Sequence, residues 1–182
     1  MIVLGIDPGA SVTACTLIRA RFDAVLGLSY YRSDEVPNED LVGYLLDLPV
    51  HVVGIERPRG IAYGSKGAGI VPHLMDAAHA AGVAEGIVEA RRRRGDNVLA
   101  WRSFPATEWR HRIVGKPSAT DAEIANVIPR RVVDWPSRSN NHERDAAGAA
   151  VYAAQTAGLQ IFQREREAIE AKRLANRGGA HG

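Results

Sequence analysis

The stretch Ile2-Val3-Leu4-Gly5-Ile6-Asp7-Pro8-Gly9, residues 2–9, is the part of the chain that decides the fold. From residue 2 the chain is a continuous apolar run up to Asp7, a pattern that is typical of a strand buried on both faces of a sheet. Pro8 fixes the backbone angle φ and Gly9 permits a tight bend, so a turn follows at once. The pattern therefore predicts a buried strand whose last side chain is a carboxylate.

The segments after this strand alternate between strand and helix signals. Two β-like stretches, 12–18 and 22–31, follow short turns and indicate an antiparallel meander. The further elements that we expect are a helix over 37–48, a strand over 51–56, an alanine-rich helix over 72–94, a strand over 98–101, and helices over 105–114, 119–128 and 141–157. Asn140 or Asn141 would cap the last of these helices, Gly158 would stop it, and Pro129 would break or kink the helix before it.

Length and composition predict one globular domain, and the order of the elements, strands first and then alternating helices and strands, predicts an α/β domain with a mixed sheet. The chain has 182 residues, enough for one compact core and too few for two, and its 46% hydrophobic and 24% charged content is ordinary for a soluble protein. We expect this domain to span 1–158 and to be followed by a charged C-terminal helix and disordered tail over 159–182. The single cysteine, Cys15, excludes an internal disulfide, and the apolar N-terminus is too short for a signal peptide or membrane span, which favours a cytoplasmic location.

Positive charge is concentrated in the middle of the chain. Between Arg57 and Lys116 there are eleven Lys and Arg residues against five acids, although the net charge of the whole chain is only +2. Such a surplus permits contact with a phosphate backbone. The run Arg91–Arg94 is equally typical of a solvated helix face.

Three acids and a histidine stand where they can form a metal site. Asp7 and Glu56 each end an apolar strand, and His142 and Asp145 lie on one face at the start of a helix because they are three residues apart. Taken singly, each has an ordinary explanation as a turn residue, a cap or a surface residue. Together they can converge on one point, where clustered carboxylates need a hard cation such as Mg²⁺ or Mn²⁺.

Four motifs occur along the chain: Gly5-Ile6-Asp7-Pro8-Gly9, Ile55-Glu56-Arg57, Val114-Gly115-Lys116-Pro117-Ser118-Ala119 and His142-Glu143-Arg144-Asp145-Ala146-Ala147. In order and spacing they resemble those of the RuvC-type Holliday junction resolvases, over roughly residues 1–158. The resemblance implies a ribonuclease H-like fold, a five-stranded mixed sheet flanked by helices. It also implies a catalytic and metal-binding site made of Asp7, Glu56, His142 and Asp145, in which Asp7 would bridge two metal ions.

The activity that the resemblance implies is that of an endodeoxyribonuclease in DNA recombination and repair. It would resolve four-way DNA junctions by paired symmetric nicks that leave a 5′-phosphate and a 3′-hydroxyl. Two Mg²⁺ ions per active site, about 4 Å apart and replaceable by Mn²⁺, would activate a water and stabilise the leaving oxygen. The family works as homodimers on branched DNA, and the helix over 72–94 would form the interface, where Gly82 and Gly86 allow close contact. Alternatively, these glycines pack against the protein's own sheet.

DNA contacts are expected in two basic segments. The residues are Arg57, Arg59, Tyr63 and Lys66 around the loop after the second acid, and Arg110, Arg112 and Lys116 before the Gly-x-x-Ser-Ala motif. Tyr63 is the nearest aromatic to the position of the family's junction wedge, but it can equally pack on the loop. The chain departs from the family at Asp121, where a lysine is usual, and at Gly148, where some members have an acid.

Two other functions fit the same residues. One is a relaxed nuclease that cuts forks, flaps and other branched DNA with the same metal centre. The other is a branched-DNA binding protein that no longer cuts, which the four intact site residues disfavour. A sugar or acetate kinase of the related actin-like fold begins with a similar Gly-Ile-Asp turn, but it needs a second half and glycine-rich phosphate loops that 182 residues do not supply.

Overall fold

The structure, a computed structural model, describes residues 1–22, 26–58 and 70–178. In chain order the elements are β1 (Ile2–Pro8), β2 (Val12–Phe22), β3 (Leu26–Pro37), α1 (Leu41–Asp47), β4 (Val52–Arg57), α2 (Ile70–Arg93), β5 (Ala100–Pro105), α3 (Ala106–Val114), α4 (Asp121–Arg131), α5 (Asn141–Ala153), a π-helical turn (Ala154–Gly158) and α6 (Leu159–Gly178). Within the described ranges no helix is both long and apolar enough to cross a membrane.

The strands form one five-stranded mixed sheet in the order β3-β2-β1-β4-β5. β1, β2 and β3 pair antiparallel, as the predicted meander requires, whereas β1, β4 and β5 run parallel. Ile6 of β1 is paired with Ile55 of β4, so Asp7 and Glu56 follow at equivalent positions on neighbouring parallel strands. The expected five-stranded sheet flanked by helices is confirmed, and both strand-end acids lie at the same edge of it.

Helices cover both faces of the sheet. Trp109, Ile124 and other apolar residues of α3, α4 and α5 form a core on one face, and α1 and α2 pack on the other with residues such as Leu45 and Ala84. Both cores consist of buried apolar side chains, whose removal from water is the main force that holds such layers together. The central strands β1 and β4 are buried from both sides, which explains their continuous apolar sequence.

Helix α5 lies unusually close to the sheet because two glycines face it. A Cβ atom at Gly5 would overlap the backbone of α5 at Ala146, and one at Gly54 would lie 2.6 Å from the carbonyl oxygen of Ala149. Gly5 and Gly54 are paired in register on β1 and β4, so they open a single shallow channel for the helix. The alanines of α5 fill this channel, which brings the start of α5 to the sheet edge where β1 and β4 end.

The predicted boundaries of two strands are wrong. β3 continues through the polar residues 32–35 and Val36 to Pro37, so the helix expected from 37 begins only at Leu41. β3 is an edge strand that is partly exposed, which is why its sequence lacks a clear apolar pattern there. β5 is also shifted, because it begins at Ala100 and continues to Pro105, where α3 starts.

The predicted ends of two helices, those over 119–128 and 141–157, are also wrong. α4 continues through Pro129 to Arg131, so this proline does not end the helix, although it removes one backbone hydrogen bond from it. Gly158 does not stop the helix before it, since a π-helical turn joins α5 to α6. A Cβ atom at Gly158 would lie 2.7 Å from the ring of Phe22, so glycine is needed there for close packing and not as a helix end.

Candidate active site

Asp7 and His142 are in direct contact at the edge of the sheet. Asp7 ends β1 and is only 8% exposed, and its Oδ2 atom lies 2.8 Å from Nδ1 of His142. His142 is in the first turn of α5, whose start is fixed by a capping box between Asn140 and Glu143. The hydrogen bond with Asp7 raises the pKa of His142 to about 8. The first and third residues of the predicted site, Asp7 and His142, are therefore in contact.

Glu56 lies beside them at the end of β4. Its Oε2 atom accepts a hydrogen bond of 2.6 Å from the indole nitrogen of Trp109, a fully buried residue of α3. Burial, together with the negative charge of Asp7, raises the pKa of Glu56 to about 8. A raised carboxyl pKa means that the surroundings disfavour the negative charge, so a cation bound nearby would stabilise the ionised form.

Asp145 follows His142 by one turn of α5 and faces helix α3. Its Oδ2 atom accepts a hydrogen bond of 2.8 Å from Nη2 of Arg110, and both side chains are largely buried. Burial raises the pKa of Asp145 to about 6, and the charge of Asp7 adds to this while Arg110 opposes it. The Nε atom of Arg110 is buried and has no hydrogen-bond partner among the described residues.

The three carboxylates are close enough to affect one another's ionisation. The pKa of Glu56 responds first to burial, then to Asp7 and also to Asp145, and that of Asp145 responds to Asp7. Oxygen donors with one imidazole are a donor set that suits Mg²⁺ or Mn²⁺. As the side chains stand, however, no three His, Cys, Asp or Glu groups in the described ranges are arranged to hold a metal ion. The donor set fits a divalent ion, but Asp145 is held by Arg110 and the ligand set remains a prediction.

Two features of this site were not predicted from the sequence. Trp109 had no recognisable signal, because a buried tryptophan on a helix is ordinarily a core residue. Arg110 was predicted to contact DNA; in the structure it donates a hydrogen bond to a site carboxylate, which the sequence did not indicate, and its contact with DNA stays a prediction. Asp121, noted as a departure from the family, accepts a hydrogen bond of 2.6 Å from Asn141, and its charge raises the pKa of Asp145 further.

The other predicted DNA-binding residues lie in varied surroundings. Arg57 forms an ion pair with Glu85, Lys116 forms one with Glu123, and Arg112 is exposed on α3. Arg59, Tyr63 and Lys66 lie outside the described residues. The role of all these residues in DNA binding stays a prediction.

The basic run at the end of α2 has a structural explanation. Arg91 is buried and donates to the carbonyl oxygen of Leu45 at 2.6 Å, and Arg92 and Arg93 both bond Glu89. Because α2 leads from the end of β4 back to the start of the parallel strand β5, this run lies at the sheet edge opposite Asp7 and Glu56. The solvated-face interpretation therefore fits Arg92, Arg93 and Arg94, which are exposed, but not Arg91, which is buried. Contact of the run with a phosphate backbone stays a prediction.

Comparisons with known proteins give structural matches only. No family model matches the chain, and no curated protein sequence matches it significantly. The structure of Thermus thermophilus RuvC is similar, with a TM-score of 0.60 and 17% sequence identity over 87% of this chain and 98% of that chain. A second structure, T. thermophilus RuvC in complex with Holliday junction substrate, has a TM-score of 0.61 and 16% identity over 87% of this chain and 97% of that chain. The yeast mitochondrial Holliday junction resolvase Ydc2 is also similar (0.55, 10% identity, 89% and 84%).

These matches cover nearly the full length of the solved chains, so the likeness extends over the whole domain and not over a shared motif. At 10–17% identity the likeness shows the fold and leaves the activity to be argued from the site. The resemblance stated from the four motifs is thus confirmed for the fold: this chain has the ribonuclease H-like α/β fold of the RuvC-type resolvase structures.

Proposed function

We propose that the protein is a metal-dependent endonuclease that resolves four-way DNA junctions. The observation that carries the proposal is the meeting of Asp7, Glu56, Asp145 and His142 at one sheet edge, from four separate points in the sequence. This arrangement occurs in a fold that two RuvC structures and Ydc2 share, one of them in complex with a Holliday junction. The activity is therefore argued from the site residues, and the fold is consistent with it.

Asp7, Glu56, Asp145 and His142 would hold Mg²⁺, with Mn²⁺ as a substitute and two ions per site. When bound, such ions supply an activated water and stabilise the leaving oxygen of a phosphodiester. The raised pKa values of Glu56 and Asp145 support this assignment, because burial and crowded negative charge are what a bound cation would compensate. Clustered buried carboxylates with no such purpose would only destabilise the fold.

Arg110 has two parts in the proposal. Its guanidinium forms an ion pair with Asp145, so one of the three site carboxylates has a positive partner within the protein. Its Nε donor has no partner in the described chain, and a buried donor left unpaired is costly. A phosphate oxygen of DNA would supply an acceptor for this guanidinium, which would then release Asp145 to a metal ion.

We propose further that the protein acts as a homodimer through α2. Gly82 and Gly86 are exposed, and a Cβ atom at either would meet no atom of the described chain within 4 Å. The alternative explanation, that they pack against the protein's own sheet, is therefore wrong. Exposed Ala78 and Ala90 continue the row at intervals of four residues along one helix face. Such a face allows two helices to approach closely, and two subunits would account for paired nicks.

One experiment separates the proposed activity from its alternatives. The purified protein is incubated with Mg²⁺ or Mn²⁺ and a four-way junction, a fork, a flap and a linear duplex of matched sequence, and the cuts are mapped. Paired symmetric nicks confined to the junction support a resolvase, whereas cuts in every branched form indicate a relaxed nuclease. Binding to branched DNA without any cut, with either ion, would show a protein that only binds.

A further inference from the structure

Helix α3 contacts two of the site carboxylates through consecutive residues. The indole nitrogen of Trp109 donates to Oε2 of Glu56 at 2.6 Å, and Nη2 of Arg110 donates to Oδ2 of Asp145 at 2.8 Å. Glu56 comes from β4 and Asp145 from α5, so α3 connects the two elements that carry them. Trp109 and Arg110 lie outside the four sequence motifs. Apolar packing alone does not explain why both of them donate hydrogen bonds to site carboxylates.

The ring of Trp109 is held in a single orientation. Trp109 has no exposed surface, and a Cβ atom at Gly148 of α5 would overlap the benzene ring of its indole. Gly148 follows Asp145 by three residues, so the helix that carries Asp145 also fixes the ring. The guanidinium of Arg110 lies 5.4 Å from the centre of the same ring. The direction of the indole N–H is therefore set by the fold and not by Glu56.

The chemistry of an indole suits it to orient a metal ligand. An indole nitrogen is a donor only, so it cannot exchange roles with the carboxylate as a hydroxyl would. It is also uncharged, so it fixes Oε2 of Glu56 without supplying the positive charge that an arginine or lysine would. Oε1 of Glu56 accepts no hydrogen bond from the described residues, and the fixed Oε2 determines where Oε1 lies.

We propose that Trp109 is a positioning residue that holds Glu56 in the orientation required to bind the divalent ion. This inference rests on the proposed function. Partners that hydrogen-bond a ligating carboxylate typically change metal affinity or activity about 10–100-fold when they are removed. Trp109 acts through Glu56 and needs no contact with DNA. The Trp109–Gly148 contact then also explains why a small residue follows Asp145 at this point.

The test compares Trp109→Phe with Trp101→Phe. Both substitutions keep an aromatic ring and remove one indole N–H that donates to a glutamate, but Trp101 donates to Glu89 of α2, away from the site, at 2.8 Å. We expect Mn²⁺ binding, measured by calorimetric titration of the full chain, to weaken about 10–100-fold in Trp109→Phe and to stay at the wild-type level in Trp101→Phe. The Mn²⁺ concentration for half-maximal junction cleavage should shift by the same factor, with the maximal rate largely recovered at high Mn²⁺.

A second measurement works even where Trp109→Phe does not fold. The variant Trp101→Phe/Trp135→Phe leaves Trp109 as the only tryptophan of the chain. Mn²⁺ is paramagnetic, so its binding at Glu56 should quench the fluorescence of this residue, and Glu56→Gln should abolish the quenching. Absence of quenching in a variant that binds Mn²⁺ with wild-type affinity would overturn the inference.

The two levels of the proposal fail in different ways. A wild-type protein that neither binds Mn²⁺ nor cuts any branched DNA removes the proposed function, and the inference with it. A wild-type protein that does both, with Trp109→Phe equal to Trp101→Phe in affinity and in half-maximal Mn²⁺, removes the inference alone.

Discussion

His142 and Asp7 form a hydrogen-bonded pair, 2.8 Å between Nδ1 and Oδ2, although 135 residues separate them in the chain. The pair joins the end of β1 to the first turn of α5. It depends on Gly5, since a side chain there would hold α5 away from the sheet and separate the two residues. The motif around Asp7 therefore does more than form a turn: its Gly5 is also the position against which α5, the helix that carries His142 and Asp145, packs.

Asp7→Asn should abolish cleavage while leaving the fold intact. Asparagine has nearly the same volume and keeps an oxygen that can contact His142, but it lacks the charge that would hold a divalent ion. The loss of a ligand should reduce the cleavage rate by more than the roughly 100-fold seen when an outer partner is removed. The rate is measured on a four-way junction with Mg²⁺, and binding is measured by gel shift without metal, where the variant should match the wild type. A variant that still cuts at near the wild-type rate would exclude Asp7 as a metal ligand.

Glu56→Gln should stabilise the metal-free protein by much more at pH 8 than at pH 5. Burial and the charge of Asp7 raise the pKa of Glu56 from its ordinary value of 4.5 to about 8 in the folded state. Between these pH values the unfolded chain has lost the proton and the folded chain keeps it, so the free energy of unfolding falls by up to about 1.4 kcal/mol per pH unit. Glutamine does not titrate. Its advantage should therefore grow with pH, to on the order of 2 kcal/mol or more at pH 8.

The measurement is chemical denaturation in EDTA at several pH values between 5 and 8. Glu123→Gln serves as a control, because a hydrogen bond with Lys116 keeps the pKa of Glu123 well below this range. Its stability relative to the wild type should differ by the same amount at every pH. An advantage of Glu56→Gln that does not change with pH would show that Glu56 ionises normally in the folded protein.

Sequence patterns predicted the parts of the site that depend on local structure. The apolar runs before Asp7 and Glu56 place these acids at strand ends, and a capping signal places His142 at a helix start. That these residues lie close together was inferred only from the three patterns combined, because each residue alone has an ordinary explanation as a turn residue, a cap or a surface residue. Trp109 could not be predicted in the same way, since its contact with Glu56 depends on how α3 docks against α5. The extent of β3 was missed for a similar reason: an exposed edge strand has few apolar positions to mark it.

Gly148→Ala should destabilise the protein even though alanine is the better helix former. A Cβ atom at this position would overlap the ring of Trp109, which is fully buried and cannot move aside. Overpacking of this kind costs about 1–3 kcal/mol, which exceeds the gain of about 1 kcal/mol in helix propensity. Gly43→Ala in α1 is the matched control, since no described atom lies within 4 Å of a Cβ there. Chemical denaturation should show Gly43→Ala at or above wild-type stability; equal stabilities of the two variants would mean that Trp109 is not held as described.

The oligomeric state can be tested at Gly82 without disturbing the subunit. A side chain at Gly82 meets no described atom within 4 Å, so Gly82→Glu should leave the subunit folded and place a charge on the exposed face of α2. In a dimer that pairs this face with its copy, two such charges would repel each other and lose their contact with water. Sedimentation equilibrium should then show a dimer for the wild type and a monomer for Gly82→Glu.

Ala122→Glu is the control for this change, because Ala122 is exposed on α4, which covers the opposite face of the sheet. It should remain a dimer. The two variants should also cut a junction differently. Monomeric Gly82→Glu carries one set of site residues, so it should nick one strand of the junction at a time, without coordination. Dimeric Ala122→Glu should keep paired nicks at symmetric positions. If Gly82→Glu and Ala122→Glu have the same mass in solution as the wild type, α2 is not the interface. Paired nicking would then have to come from another surface of the subunit or from successive binding events.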